Sequence, residues 1–189
     1  MSDIKGKLLI LAHCILNPYS RIHGGQANES LAQEMVELAI KHKVGLIQLP
    51  CPEITLLGAK RWAQSYEQYD TPAFHKHCEN ILESLIDQLT DQAADDKTII
   101  AAIGICGSPS CGVFETSSAE YSGLVPGMKG AKELPPSTKV PRQGHFIQAL
   151  QRALRHHNLH VNLIELPRPD CTAEEAETFR SHISGLITD

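Results

Sequence analysis

The stretch "KTIIAAIGICGSPSCGV" (97–113) changes character half-way along. Up to Ile105 it is an apolar run. From Cys106 it is glycine, serine, proline and a second cysteine, Cys111. The first half reads as a buried strand, because it is short and gives way at once to residues that make turns. The second half reads as a turn in which the backbone comes close to something.

Working outward, the same pattern recurs. "KLLILAHC" (7–14), "VGLIQLPC" (44–51) and "HVNLIELP" (160–167) are three further apolar runs of strand length. Between and after them lie helical patterns. "ESLAQEMVELAIKHK" (29–43) places Leu31, Met35, Leu38 and Ala39 on one face. "TPAFHKHCENILESLIDQLTDQ" (71–92) opens on a Thr cap with Pro at the first helical position. "GHFIQALQRALRHH" (144–157) is amphipathic, and "CTAEEAETFRSHISGLI" (171–187) begins with a capping box, Thr172 and Glu175. Strands alternating with helices predict a three-layer α/β sandwich with a mainly parallel, Rossmann-like sheet of about four to five strands. The right-handed crossover limits the topologies, and a strand order of 2-1-3-4 is expected. Residues 112–142, rich in proline and glycine, read as an irregular, lid-like excursion.

Length and charge bound the function. A chain of 189 residues favours one domain, 1–189, with a sizeable core. The net charge of −5 argues against a broad phosphate-binding surface and so against a nucleic-acid polymer as partner. The N-terminal apolar run of about six residues is too short for a signal peptide or a membrane span, so a cytoplasmic location is expected. In a reducing compartment the six cysteines are not a disulfide framework.

In an open parallel sheet the ligand crevice lies beyond the carboxyl ends of the strands, where the strand order switches. Cys14, Cys51 and Cys106 fall at the ends of the first three strands, Cys111 in the turn after the third, and Cys171 after the fourth. Only Cys78 lies within a helix, on its apolar stripe, as a buried small hydrophobe. Thiolates converging from separate loops are what a soft-metal or cluster site needs. Glu53, two residues after Cys51, must pair with a base such as Arg21 or Arg61, or do work. Ser108 and Ser110 flank a proline that presents their hydroxyls to one side. Several familiar sites are absent: paired C-x2-C zinc units, ferredoxin spacing, a C-x-x-C redox pair, a G-x-S-x-G elbow and a C-x5-R phosphate loop. The histidines of "HKH" (75–77) and "HH" (156–157) are expected on solvated helix faces.

Three segments together resemble the TudS-like family of 2-thiouracil desulfidases: "C-x-L-N-P-x-x-R" at 14–21, "C-P-E" at 51–53 and "S-P-S-C-G" at 108–112. The resemblance runs over residues 8 to 114. It implies a 4Fe-4S cluster held by Cys14, Cys51 and Cys111, with one iron left open for the sulfur of a small thiolated substrate. It implies catalytic roles for Glu53 and Ser108, and leaves Cys106 beside the site. Sulfurs that hold one such cluster are expected roughly 6–7 Å apart. Arg21, Asn17 and Ser110 are expected to meet the substrate, with Trp62, Tyr66 and Tyr69 as candidates for an aromatic wall. The chain reads "AHCILNP" at its first motif and "GAKRWAQSYEQYDTP" (58–72) where the founding desulfidases are Gly/Pro/Arg-rich, so it resembles a divergent branch.

The implied activity is a non-redox, hydrolytic desulfurisation of a thiolated pyrimidine-type base. Two other readings stand beside it. One is a cluster or metal protein that carries sulfur or electrons without hydrolysis. The other is a small α/β hydrolase with Ser108 or Cys111 as nucleophile.

Overall fold

The computed structural model describes residues 6–22, 25–119 and 137–188. Four parallel strands form the main sheet: β1 (Lys7–Leu11), β2 (Gly45–Gln48), β3 (Thr98–Ile105) and, last in the chain, β6 (Leu163–Leu166). Their order is β2-β1-β3-β6, all pairs parallel. This is the expected 2-1-3-4 order of the four parallel strands. The central strands are buried along almost their whole length, as a strand covered on both faces must be.

The helices supply the cover. α2 (Glu29–Lys41) packs with α7 (Ala173–Thr188), and α5 (Pro72–Ala94) packs with α6 (His145–His156). These pairs flank the sheet and complete the three layers, with one apolar cluster running through strands and helices alike. Local signals set the helix ends. The Thr71 hydroxyl accepts from Phe74 N–H at 3.2 Å at the start of α5, just ahead of Pro72. Thr172 and Glu175 form the expected capping box ahead of α7: Glu175 N–H donates to the Thr172 hydroxyl, and Thr172 N–H to the Glu175 carboxylate. Cys78 has no exposed surface, as its place on the α5 stripe predicts.

Three short helices were not legible as elements: α1 (His13–Leu16), α3 (Pro52–Leu57) and α4 (Tyr66–Tyr69). Each is too short to show a helical period. The excursion at 112–142 also carries structure at its ends, where β4 (Thr116–Ser118) pairs antiparallel with β5 (Thr138–Val140). Its middle, 120–136, lies outside the described residues. No described helix is long and apolar enough to cross a membrane.

Candidate functional site

Three strands deliver residues to one place. After β1 the chain turns straight into α1, so Cys14 sits just past the strand end on that helix rather than on the strand itself. After β2, Cys51 caps α3: its sulfur accepts from Ile54 N–H at 3.4 Å, and Pro52 stands at the first helical position. That puts Glu53 in the first turn of α3, where it is buried.

After β3 the turn from Cys106 to Cys111 folds back on the strand. Ile105 N–H donates to the Cys111 carbonyl at 2.8 Å. A Cβ on Gly104 would stand 2.3 Å from that same carbonyl oxygen, so only glycine allows the approach. Cys111 N–H donates to the Ser108 hydroxyl at 3.0 Å. The turn then docks on the start of α6, where His145 N–H donates to the Pro109 carbonyl at 3.2 Å and Phe146 N–H to the Ser110 carbonyl at 2.9 Å. The "GSPSCG" run is thus a backbone-packed turn that fixes Cys111.

Cys14, Cys51, Cys111, Glu53, Arg21 and Arg61 line a single cleft of about 260 Å³ at this edge of the sheet. Its place is the one the strand-order rule predicts, beyond the carboxyl ends of β1 and β3. The thiols sense one another. Burial pushes the Cys14 thiol up to about 11, opposed by Arg21 and reinforced by Cys51 and Glu53. Burial and then the nearness of Cys14 raise Cys111 well above the ordinary thiol value, and burial raises Cys51. Such thiols stay protonated near neutral pH unless a cationic centre binds them, and a coordinating metal deprotonates a thiol outright.

The carboxylate of Glu53 is held from two sides. Arg61 Nε donates to its Oε2 at 3.0 Å, and Ser110 Oγ donates to its Oε1 at 2.6 Å. Arg61 also donates from Nη2 to the Ser20 carbonyl at 2.8 Å, while its buried Nη1 has no hydrogen-bond partner. Arg61 is therefore the base that pairs with Glu53. Arg21, the other candidate, instead reaches the Cys14 carbonyl at 3.0 Å and Glu29 at 2.8 Å. The Ser108 and Ser110 hydroxyls lie 3.3 Å apart.

The remaining residues fall variously. Asn17 joins α1 to the 3-10 turn of Pro18–Ser20, where its carbonyl accepts from the Ser20 hydroxyl at 2.7 Å; it is not among the residues lining the cleft. None of the three aromatic candidates is among the residues lining the cleft. Tyr66 stacks on His145, Tyr69 is buried against Phe74 with its hydroxyl beside Glu53, and Trp62 is half exposed. Burial and the Glu53 charge hold the Tyr69 hydroxyl above the ordinary tyrosine value. Cys106 borders the cleft but contacts the Glu115 carboxylate at 3.5 Å, and burial raises its thiol to about 12. Cys171 contacts the Asn28 amide at 3.6 Å and lines a neighbouring hollow with Cys106.

A family model described as "Putative 2-thiouracil desulfurase" matches residues 6–126, well over half of the chain and every cleft residue from Cys14 to Cys111. The chain belongs to this thiouracil-desulfurase family. Among curated proteins, the "uncharacterized protein MJ0003" of Methanocaldococcus jannaschii is 38% identical over 113 residues, which cover 59% of this chain and 72% of that protein. No solved structure matches the chain significantly. The family match ends before α6, so the helix that seats the Cys111 turn lies beyond it.

Proposed function

We propose that this protein is an iron–sulfur-dependent desulfidase. It replaces the sulfur of a thiolated pyrimidine-type base by the oxygen of water, giving the oxo compound and sulfide. The observation that carries this reading is the convergence of Cys14, Cys51, Cys111 and Glu53 on one cleft.

The donor set suits the cluster that the family resemblance implies. Three thiols are soft ligands, the donor type that selects soft metals and iron–sulfur centres. Cys14, Cys51 and Cys111 would hold the cluster, with Ile54 N–H already directed at the Cys51 sulfur. When bound, such a cluster supplies Lewis-acid polarisation of a C–S bond.

The chain's own residues account for the rest. Overall, a thiocarbonyl and water become a carbonyl and hydrogen sulfide, so no oxidant or reductant is needed. Glu53 accepts the proton of the attacking water and returns it to the leaving sulfur. Arg61 Nε and Ser110 Oγ keep its carboxylate in one orientation. Ser108 stands behind Ser110 and completes a path of hydroxyls along which a proton passes. The unpartnered Arg61 Nη1 and Arg21 Nε are buried donors that an oxygen or ring nitrogen of the substrate would satisfy. Arg21 is thus kept as a substrate-side residue. Ser110 already donates to Glu53 and serves as its support.

The test is anaerobic reconstitution, an iron and sulfide count with the visible spectrum, and then turnover of 2-thiouracil by the wild type and by Glu53→Gln. The expected result is a loaded cluster in both proteins, with turnover in E53Q lower by roughly two to four orders of magnitude, the usual worth of a general base. A loaded cluster with near-normal E53Q turnover removes Glu53 from the chemistry. A loaded wild type with no turnover of any thiolated pyrimidine points to a sulfur or electron carrier instead.

A further inference from the structure

A second cluster of ligating groups lies outside the cleft. Asp70 ends α4, His75 lies in the first turns of α5, and His145 opens α6. One ligand atom from each lies within 4.8 Å of the other two. His75 Nε2 is 3.0 Å from His145 Nδ1 and 3.1 Å from Asp70 Oδ1. The expectation that His75 is a solvated helix-face residue holds in part: its side chain is 40% exposed, yet its Nε2 meets a buried histidine.

The hydrogen-bond arithmetic of this group is unusual. His145 is buried, and its Nε2 lies 3.0 Å from the Tyr66 carbonyl, which can only accept. That contact places the His145 proton on Nε2 and leaves a lone pair on Nδ1. Asp70 also offers only lone pairs. Between them stands His75 Nε2, whose single proton would have to serve two acceptors at once. A cation at the centre satisfies all three atoms.

Further features match a metal site. A ligating histidine commonly donates its other ring N–H to a backbone carbonyl, which fixes the tautomer and ring orientation, as the Tyr66 carbonyl does here. The Tyr66 ring stacks on the imidazole at 3.8 Å and holds its plane. Against these features stands the Arg142 guanidinium, 4.5 Å from the Tyr66 ring centre, whose charge a bound cation must outweigh. Metal bonds of about 2.0–2.1 Å to nitrogen and oxygen set tetrahedral ligand separations near 3.4 Å, a few tenths wider than the contacts seen.

We propose that Asp70, His75 and His145 bind a divalent late first-row transition metal, with zinc as the fitting member and water in the fourth position. Two imidazoles and a carboxylate are borderline donors suited to zinc, not to the cluster chemistry of the thiols. The site joins the corner between α4 and α5 to the first turn of α6. Since His145 and Phe146 carry the turn that bears Cys111, the metal braces the cleft from behind.

The test is zinc affinity by competition with a chromophoric chelator. It uses the full chain with C14S, C51S and C111S, so that the cleft thiols cannot hold the ion. This background also keeps the outcome separate from that of the desulfidase reading. The expected result is one zinc per chain. H75A and D70N, both on the outer side of the cluster and checked for folding by circular dichroism, should each weaken it by more than about 100-fold, beyond the 10–100-fold cost of losing a partner that only supports a ligand. X-ray absorption at the zinc edge should show nitrogen and oxygen neighbours only. No stoichiometric zinc, undiminished binding in H75A, or sulfur among the zinc neighbours would each overturn the proposal.

Discussion

Ser110 Oγ donates to Glu53 Oε1 at 2.6 Å across 57 residues of chain, while Arg61 Nε takes the other carboxylate oxygen at 3.0 Å. Glu53 belongs to the helix that Cys51 caps, and Ser110 to the turn that carries Cys111. One hydrogen bond therefore ties together the two loops that present those thiols. The Ser110 proton is committed to the carboxylate, so the Ser108 hydroxyl must donate toward Ser110 while accepting from Cys111 N–H. The order Ser108, Ser110, Glu53 follows from counting protons.

The Arg61–Glu53 pair is buried, with side chains only 4% and 12% exposed. Removing one partner of such a pair strands the other charge. Arg61→Ala should destabilise the protein by about 3–5 kcal/mol in denaturant unfolding. The double variant Arg61→Met/Glu53→Gln should recover much of that loss, because it removes both charges together. A single R61A variant as stable as the wild type would mean that Glu53 is not held as a carboxylate by this contact.

Cys14→Ala, Cys51→Ala and Cys111→Ala should each lose reconstituted iron and sulfide. Cys78→Ala, Cys171→Ala and Cys106→Ala should retain them, because the first lies in the helix core and the others turn toward Asn28 and Glu115. Loss in C106A with retention in C111A would exchange the roles of the two cysteines in the β3 turn.

The fold was legible where burial is two-sided. β1 and β3 are continuous apolar runs because both of their faces are covered, and the caps at Thr71 and Thr172 use local bonds that two or three residues specify. The strand-end rule then located the cleft and its cysteines. Contacts between distant segments were harder to read. Sequence offered Arg21 and Arg61 as equal partners for Glu53, and only the path of α3 and the chain after it selects Arg61. The aromatic wall failed because Tyr66 and Tyr69 lie on a one-turn helix whose inward face has no periodic signature. His145 gave no local signal, since its partners lie 70 and 79 residues away; its place directly after the glycine that opens α6 was the only hint.

Cys78 has no exposed surface, and burial pushes its thiol from 9.0 up to about 12. A thiol whose folded pKa is raised keeps its proton longer in the folded chain than in the unfolded one. Its contribution is complete below pH 9 and is lost as pH rises from there toward 12. Between pH 9 and 11 the stability of cluster-free protein should fall, and C78A should lessen the slope by about 1.4 kcal/mol per pH unit, one proton's worth. Urea midpoints measured at several pH values separate this slope from the constant cost of the lost packing. Equal slopes in wild type and C78A would mean that the thiol titrates alike in both states.

Gly144 allows a test of the cleft that touches no ligand. It stands just before His145, and a Cβ built there would lie 2.5 Å from the Ser110 carbonyl carbon and oxygen and 2.9 Å from the Cys111 amide nitrogen. Those neighbours are backbone atoms, so a methyl group must push the whole turn away from α6. The bonds from His145 and Phe146 N–H to the Pro109 and Ser110 carbonyls would stretch, and Cys111 would move relative to Cys14 and Cys51. Overpacking of this kind costs about 1–3 kcal/mol. Gly144→Ala should therefore lower stability by that amount and also reduce iron retention after reconstitution. Gly58→Ala provides a control: it carries a strained φ of +84° with nothing within 4 Å of its added Cβ, so it should cost stability while leaving the Cys111 turn in place. A G144A protein that is destabilised yet keeps its iron as the wild type does would show that the cleft tolerates movement of the turn, and that Cys111 is not positioned by its seat on α6.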